Sequence, residues 1–425
     1  MHKLQCDVAV IGAGPAGLAA AGRAKAAGAE RVMLIDRDRE PGGILQQCIH
    51  NGFGLHLFNE ELTGPEYAYK FIQENFASGV EFFLNTMVLQ VQPSGHIYAI
   101  SKKLGMVDIA AGAVVLAMGC RERNRGAVTI PGSRPSGIFT AGTAQRFVNV
   151  EGYLPGKRIV ILGSGDVGLI MARRFTWEGA KVEGVFEIMP YSNGLTRNLV
   201  QCLRNNNIPL HLSHTVTKIH GQERVQAVTV SKVDEQFHPV PGTEQVLDCD
   251  TLLLSVGLIP ENELSRDANI DLDPVTGGPV VTDEMETTLP GVFACGNVVH
   301  VHDLVDNVTR ESWLAGEGAA RRVLGQQPGG DLITTRAGEG VRYVVPHKIH
   351  VANLAAKKTT LYLRVLEPDE NVKLELLLGT KPVYSRRERV VRPAEMVSVS
   401  LSSGQITASA GEELVVRLVR EGDQA

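Results

Sequence analysis

Two glycine clusters of identical spacing stand out in this 425-residue chain: Gly12-Ala13-Gly14-Pro15-Ala16-Gly17 and Gly163-Ser164-Gly165-Asp166-Val167-Gly168. Each follows an apolar run, Val8–Ile11 or Ile159–Leu162, and each opens onto a stretch of helix formers. An acid ends the next apolar run, 24 residues beyond the first glycine in both copies: Asp36 in the first and Glu187 in the second. This pattern serves dinucleotide binding. The first glycine permits a tight turn, the second lets a pyrophosphate reach the backbone, and the third lets helix and strand pack closely. The free N–H groups of the helix start then face the anion, and the acid accepts hydrogen bonds from ribose hydroxyls.

The second acid carries a further expectation. A carboxylate at Glu187 pairs with a free 2′-hydroxyl and repels a 2′-phosphate, so NAD(H) is preferred over NADP(H). Arg197, further along, softens that preference only if its loop folds back toward the turn.

Thiols and imidazoles are the other groups with chemistry to offer. The six cysteines, at 6, 48, 120, 202, 249 and 295, include no C-x-x-C or C-x-x-x-x-C pair. Dithiol exchange therefore has no obvious couple, and the scatter fits reduced thiols rather than a disulfide framework. Cys48, in Gln46-Gln47-Cys48-Ile49-His50, is the candidate for a lone redox thiol; its bland alternative is a small buried hydrophobe. For His300-Val301-His302-Asp303 three roles compete: acid–base catalysis through His302, metal ligation, and hydrogen bonding at a domain seam. No second pair of ligands lies nearby in sequence, so no metal is expected, and the seam is favoured.

The elements that must position these groups repeat as strand, glycine turn, helix, strand, acid, which implies an α/β architecture with two Rossmann-like dinucleotide-binding domains. The expected boundaries are 1–150 for the first part of one domain, 151–270 for the other, and 271–325 for the returning second part of the first. Residues 326–340 read as a linker. Residues 341–425 alternate β-branched and polar positions, as in Thr359–Val365, Val372–Leu378 and Glu413–Leu418, and read as a small C-terminal all-β domain. Val246–Val256 reads as one buried strand, and Thr309–Leu324 as a helix.

A net charge of −5 gives no basic field for nucleic acid. The longest apolar stretch, around Ala110–Met118, is far short of the roughly 20 residues that span a bilayer. Without a recognisable leader, a cytoplasmic location is expected.

With these motifs assembled, the chain resembles the two-dinucleotide-binding flavoproteins that include glutathione and thioredoxin reductases, over about residues 5–325. The resemblance implies that the first turn holds FAD through Gly12, Gly14, Pro15, Ala16, Gly17, Asp36 and Arg37, and that the second holds the nicotinamide dinucleotide through Gly163, Gly165, Asp166, Val167, Gly168 and Glu187. Gly42-Gly43 resembles the glycine pair leading beneath the flavin ring. Val88, in Thr86-Met87-Val88, resembles the strand edge touching the adenine. Ala117-Met118-Gly119-Cys120 is similar to the family's A-T-G motif, and Leu289–Asn297 to its ribitol-binding segment. There Gly296 is followed by Asn297 where the family usually has Asp, an exchange of charge for an amide that still donates and accepts.

Stretches such as GGILQQCIHNGFG and CGNVVHVHDLVDNV resemble more narrowly the flavoprotein that accompanies FAD-dependent glycerol-3-phosphate dehydrogenase. More distantly they resemble the alpha-type subunits of sarcosine, proline and opine oxidoreductases. That resemblance implies a flavin–nicotinamide hydride-transfer subunit, an oligomer, and a partner dehydrogenase subunit that oxidises the substrate. Two alternatives stay open: a self-contained NADH oxidase or peroxidase using Cys48, and a scaffold with vestigial sites. No cysteine follows Cys295, so an iron–sulfur cluster has no ligands in the C-terminal segment.

Overall fold

The computed structural model describes residues 1–420 and divides into two compact units, Met1–Cys120 with Pro260–Ala425, and Arg121–Ile259. The second unit takes in residues 121–150, which the sequence had assigned to the first. Ile138–Thr140 is the reason: it is a strand that pairs in parallel with Thr251–Leu254 and so extends the second sheet.

In the first unit the parallel strands run in the order Glu81–Phe83, Val32–Ile35, His2–Ile11, Gly105–Leu116. Val292–Ala294 pairs in parallel with the end of Gly105–Leu116. That pairing is how the returning segment rejoins the first sheet. An antiparallel extension, His96–Ser101 then Thr86–Val91, completes the seven strands. The central strands are buried over Val8–Ile11, Val32–Ile35 and Ala113–Leu116, as parallel strands covered on both faces must be. The Ala-rich helix Pro15–Ala26 packs on the long helix Val305–Val323. Gly316 permits that contact, since a Cβ there would sit 2.3 Å from the Ala20 carbonyl oxygen.

The second unit carries its own five-stranded parallel sheet, ordered Ile138–Thr140, Thr251–Leu254, Arg158–Leu162, Lys181–Glu187, Leu210–Leu212. A three-stranded antiparallel sheet accompanies it. The expected single strand Val246–Val256 is two: Gln245–Asp248 lies in the antiparallel sheet and Thr251–Leu254 in the parallel one. Asp250 makes the break, its carboxylate accepting the backbone N–H groups of Lys157 and Arg158.

The C-terminal segment forms two antiparallel-rich sheets around a separate apolar core that includes Leu361, Leu374, Val399 and Leu414. Its first strand, Leu332–Ala337, lies inside the stretch read as a linker and pairs with Glu413–Arg420. Buried polar contacts fix this segment to the rest of its unit. His350 Nδ1 lies 2.6 Å from Asp283, Asn353 donates to Asp283 and Glu284, and Lys357 pairs with Glu284.

Candidate functional site

The first turn is built as the spacing required. Gly12 has φ 106°, and a Cβ there would meet the Ala117 carbonyl oxygen at 2.5 Å; one on Gly17 would meet the Gly12 oxygen at 1.7 Å. Gly14 differs, since it has ordinary backbone angles and a Cβ there would meet nothing within 4 Å. The helix beginning at Pro15 has no side-chain cap, so its first N–H groups face that open space. Asp36, half-buried, accepts the Ala13 N–H at 2.5 Å and the Asp38 N–H at 2.8 Å. Arg37 beside it is exposed. Gly42 donates its N–H to the Ala13 oxygen, and Gly43 closes on Gly14, with room for no side chain between them. The Val88 side chain is buried in the core, so only its backbone lies at the strand edge.

The second turn repeats the device. Gly163 has φ 90° with Ser255 against it, and the helix Asp166–Trp177 again starts on a glycine with no side-chain cap. Glu187 accepts the Ser164 N–H at 2.8 Å and the Ser164 hydroxyl at 2.6 Å, as Asp36 accepts from Ala13. Here the acid is only 3% exposed, and Met189 N–H bonds its other oxygen. The loop that follows folds onto the turn. Asn193 N–H donates to the Ser164 hydroxyl, and Asp166 accepts from Leu195 N–H and the Asn198 amide. Val167 is half-buried, and Arg197 is exposed on this loop.

Back in the first unit, Gly296 has φ 73° and stands over Ala16. Asn297 accepts the His302 N–H at 3.0 Å and points its amide nitrogen at the Cys120 sulfur, 3.6 Å away. Ala117 is buried, whereas Gly119 has open space around it and φ 72°. Behind this segment Glu311 accepts the Gly296 N–H at 2.7 Å with one oxygen. Its other oxygen lies 2.7 Å from His300 Nε2 and 3.2 Å from His302 Nε2. Burial opposes ionisation of Glu311, but attraction and hydrogen bonds from the two imidazoles outweigh it and hold its carboxyl well below the usual range. Burial, with repulsion from His302, pulls His300 down to about 4.

A family model for pyridine nucleotide-disulphide oxidoreductases matches residues 6–315. The chain belongs to that family. Its members are flavin-dependent pyridine nucleotide oxidoreductases, and this chain is an enzyme of that class, in a family that binds FAD and pyridine nucleotides. An opine oxidase subunit from Agrobacterium tumefaciens is 26% identical over 313 residues, 68% of this chain and 61% of that protein. The CoA-dependent NAD(P)H sulfur oxidoreductase of Pyrococcus abyssi is 24% identical over 321 residues, 73% of this chain and 66% of that protein. Among solved structures, T. acidophilum thioredoxin reductase superposes with a TM-score of 0.60 at 24% identity, covering 76% of this chain and 98% of that one. The chain spans about three-fifths of the length of the opine oxidase subunits it matches.

As a family flavoprotein, the first unit has the right groups for FAD: an uncapped helix start, the open space at Gly14 and the acid Asp36 fit a pyrophosphate and its ribose. None of the six cysteines shows the C-x-x-C or C-x-x-x-x-C spacing of a redox pair. Cys48 packs against Gly64 at the start of a helix, and burial pushes its thiol up to about 12. That suppresses the thiolate a redox role needs. His302 is also enclosed, its side chain 0% exposed and turned to Glu311. Glu311 is the group the sequence reading missed. The signal for it was present: a lone carboxylate on the helix face that also carries Val308, Ser312, Ala315 and Ala319, all buried.

Proposed function

We propose that this chain passes hydride between NAD(H) and FAD as the electron-transfer subunit of a multi-component dehydrogenase. The observation that carries the reading is the doubled turn: two helix starts that open on a glycine, each beside a glycine cluster and each closed by its own acid on the residue after the first glycine. When bound, FAD supplies a flavin ring that accepts or returns a hydride, and the protein supplies alignment and electrostatics. Gly12 to Gly17 hold the pyrophosphate, Asp36 the ribose, and Gly42, Gly43, Gly119, Gly296 and Asn297 frame the flavin half.

Glu187 favours NAD(H), because a buried carboxylate repels a 2′-phosphate. Ribose reaches Glu187 only when the loop through Asn193 and Asn198 loosens its hold on Ser164 and Asp166, so nicotinamide binding is coupled to that loop. Kinship with the opine oxidase subunits supports a partner subunit. The stretches GGILQQCIHNGFG and CGNVVHVHDLVDNV support a glycerol-3-phosphate-type substrate on that partner.

Steady-state assays test the reading. Dye reduction by NADH should be rapid, direct use of oxygen or peroxide slow, and NADPH the poorer donor by kcat/KM. Oxidase or peroxidase turnover as fast as dye reduction contradicts the relay role.

A further inference from the structure

One ligand atom from each of His300, His302 and Glu311 lies within 4.8 Å of the others behind the Gly296–Asn297 segment, and both histidine Nε2 atoms face the same Glu311 oxygen, at 2.7 and 3.2 Å. The H-x-H pair comes from the loop after the flavin segment, and the third group arrives on the helix Val305–Val323, which turns back beneath it. The three side chains are 0%, 0% and 1% exposed.

Among the described residues, the ion-pair partners of Glu311 are the two histidines. Arg364 pairs with Asp303 and donates to the Val301 and Pro393 carbonyls. The imidazole rings stand 4.2 Å apart, and Tyr343 and Tyr362 wall them edge to face. Among the described residues, neither His300 Nδ1 nor His302 Nδ1 has a hydrogen-bond partner. Each ring is therefore oriented by its Nε2 alone, and both nitrogens aim at one carboxylate oxygen. Two imidazole nitrogens and one carboxylate oxygen form a three-donor set suited to zinc or a neighbouring first-row divalent ion, with the fourth position left to a water.

We infer that His300, His302 and Glu311 bind a divalent transition-metal ion, with zinc preferred. The ion joins the three side chains and clamps residues 296–302 to the helix beneath them. It needs no thiol, which is why cysteine spacing gave no sign of it.

The test is metal analysis of full-length protein purified without an affinity tag or chelator, with FAD content read on the same samples. About one ion per chain should survive dialysis against metal-free buffer, and zinc added back after chelation should restore the melting temperature. Glu311→Gln and His302→Gln should each lower retained metal about tenfold or more, with folding checked by circular dichroism. Should either variant fail to fold, chelation and zinc re-addition on the wild type decide alone. Protein that carries no metal and takes up neither Zn²⁺ nor Co²⁺ overturns the inference, as does metal content unchanged in folded variants.

Discussion

Gly14→Ala separates binding from folding at the first turn. Gly14 has φ −75° and ψ −172°, angles any residue adopts, and a Cβ there meets no protein atom within 4 Å. The apoprotein should therefore fold as before, with a gain of about 0.4–1 kcal/mol from the stiffer unfolded chain. The added methyl instead occupies the space in which a pyrophosphate meets the helix start. Overpacking of that kind costs about 1–3 kcal/mol, which weakens FAD binding roughly 5- to 150-fold. Gly17→Ala is the contrast, because its Cβ would lie 1.7 Å from the Gly12 oxygen and disrupt the turn itself. FAD titration of apoprotein, followed by flavin fluorescence, gives Kd, and thermal melts of the same apoproteins give stability. If Gly14→Ala binds FAD like the wild type, or melts as low as Gly17→Ala, the assignment of the open space to the cofactor is wrong.

Removing the charge at the second acid, with Glu187→Gln, should raise the NADPH-to-NADH ratio of kcat/KM by about tenfold, or 1.4 kcal/mol; an unmoved ratio means Glu187 does not meet the ribose. Cys48→Ser should leave NADH oxidation unchanged, and iodoacetamide should not modify Cys48 in the native protein, because its thiol is pushed up to about 12 by burial. The contact between Asp283 and His350 gives a pH signature. Its hydrogen bond raises the His350 imidazole, so that contribution is full below the ordinary imidazole value of about 6.5 and is lost as pH rises through the folded value. Burial opposes the Asp283 carboxylate, yet hydrogen bonds from His350 and Asn353 keep it lowered, so its contribution is present at neutral pH and lost in acid. The melting-temperature gap between wild type and His350→Gln should be wider just below the ordinary imidazole value of about 6.5 than at alkaline pH, where it should narrow. A gap independent of pH contradicts the pairing.

The glycine turns were legible because their geometry is set by backbone contacts that only a missing Cβ allows, as at Gly12 and Gly17. The strand Thr359–Val365 follows the expected alternation, with Thr359, Leu361, Leu363 and Val365 buried on one face. What failed to show was tertiary. Residues 245–254 are apolar enough for one strand, and only the Asp250 contacts with Lys157 and Arg158 divide them between two sheets. Ile138–Thr140 joins a sheet whose other strands come later in the chain, so local pattern could not place it. Glu311 is separated from His300 by a loop and two helical turns, a spacing that resembles no ligand motif until the helix is packed.

The most direct measurement is the visible spectrum of the purified protein before and after anaerobic addition of NADH. A yellow protein whose flavin band near about 450 nm bleaches in one step with stoichiometric NADH is the expected result. A colourless protein, or a flavin band that NADH leaves unchanged, contradicts hydride transfer between the two sites.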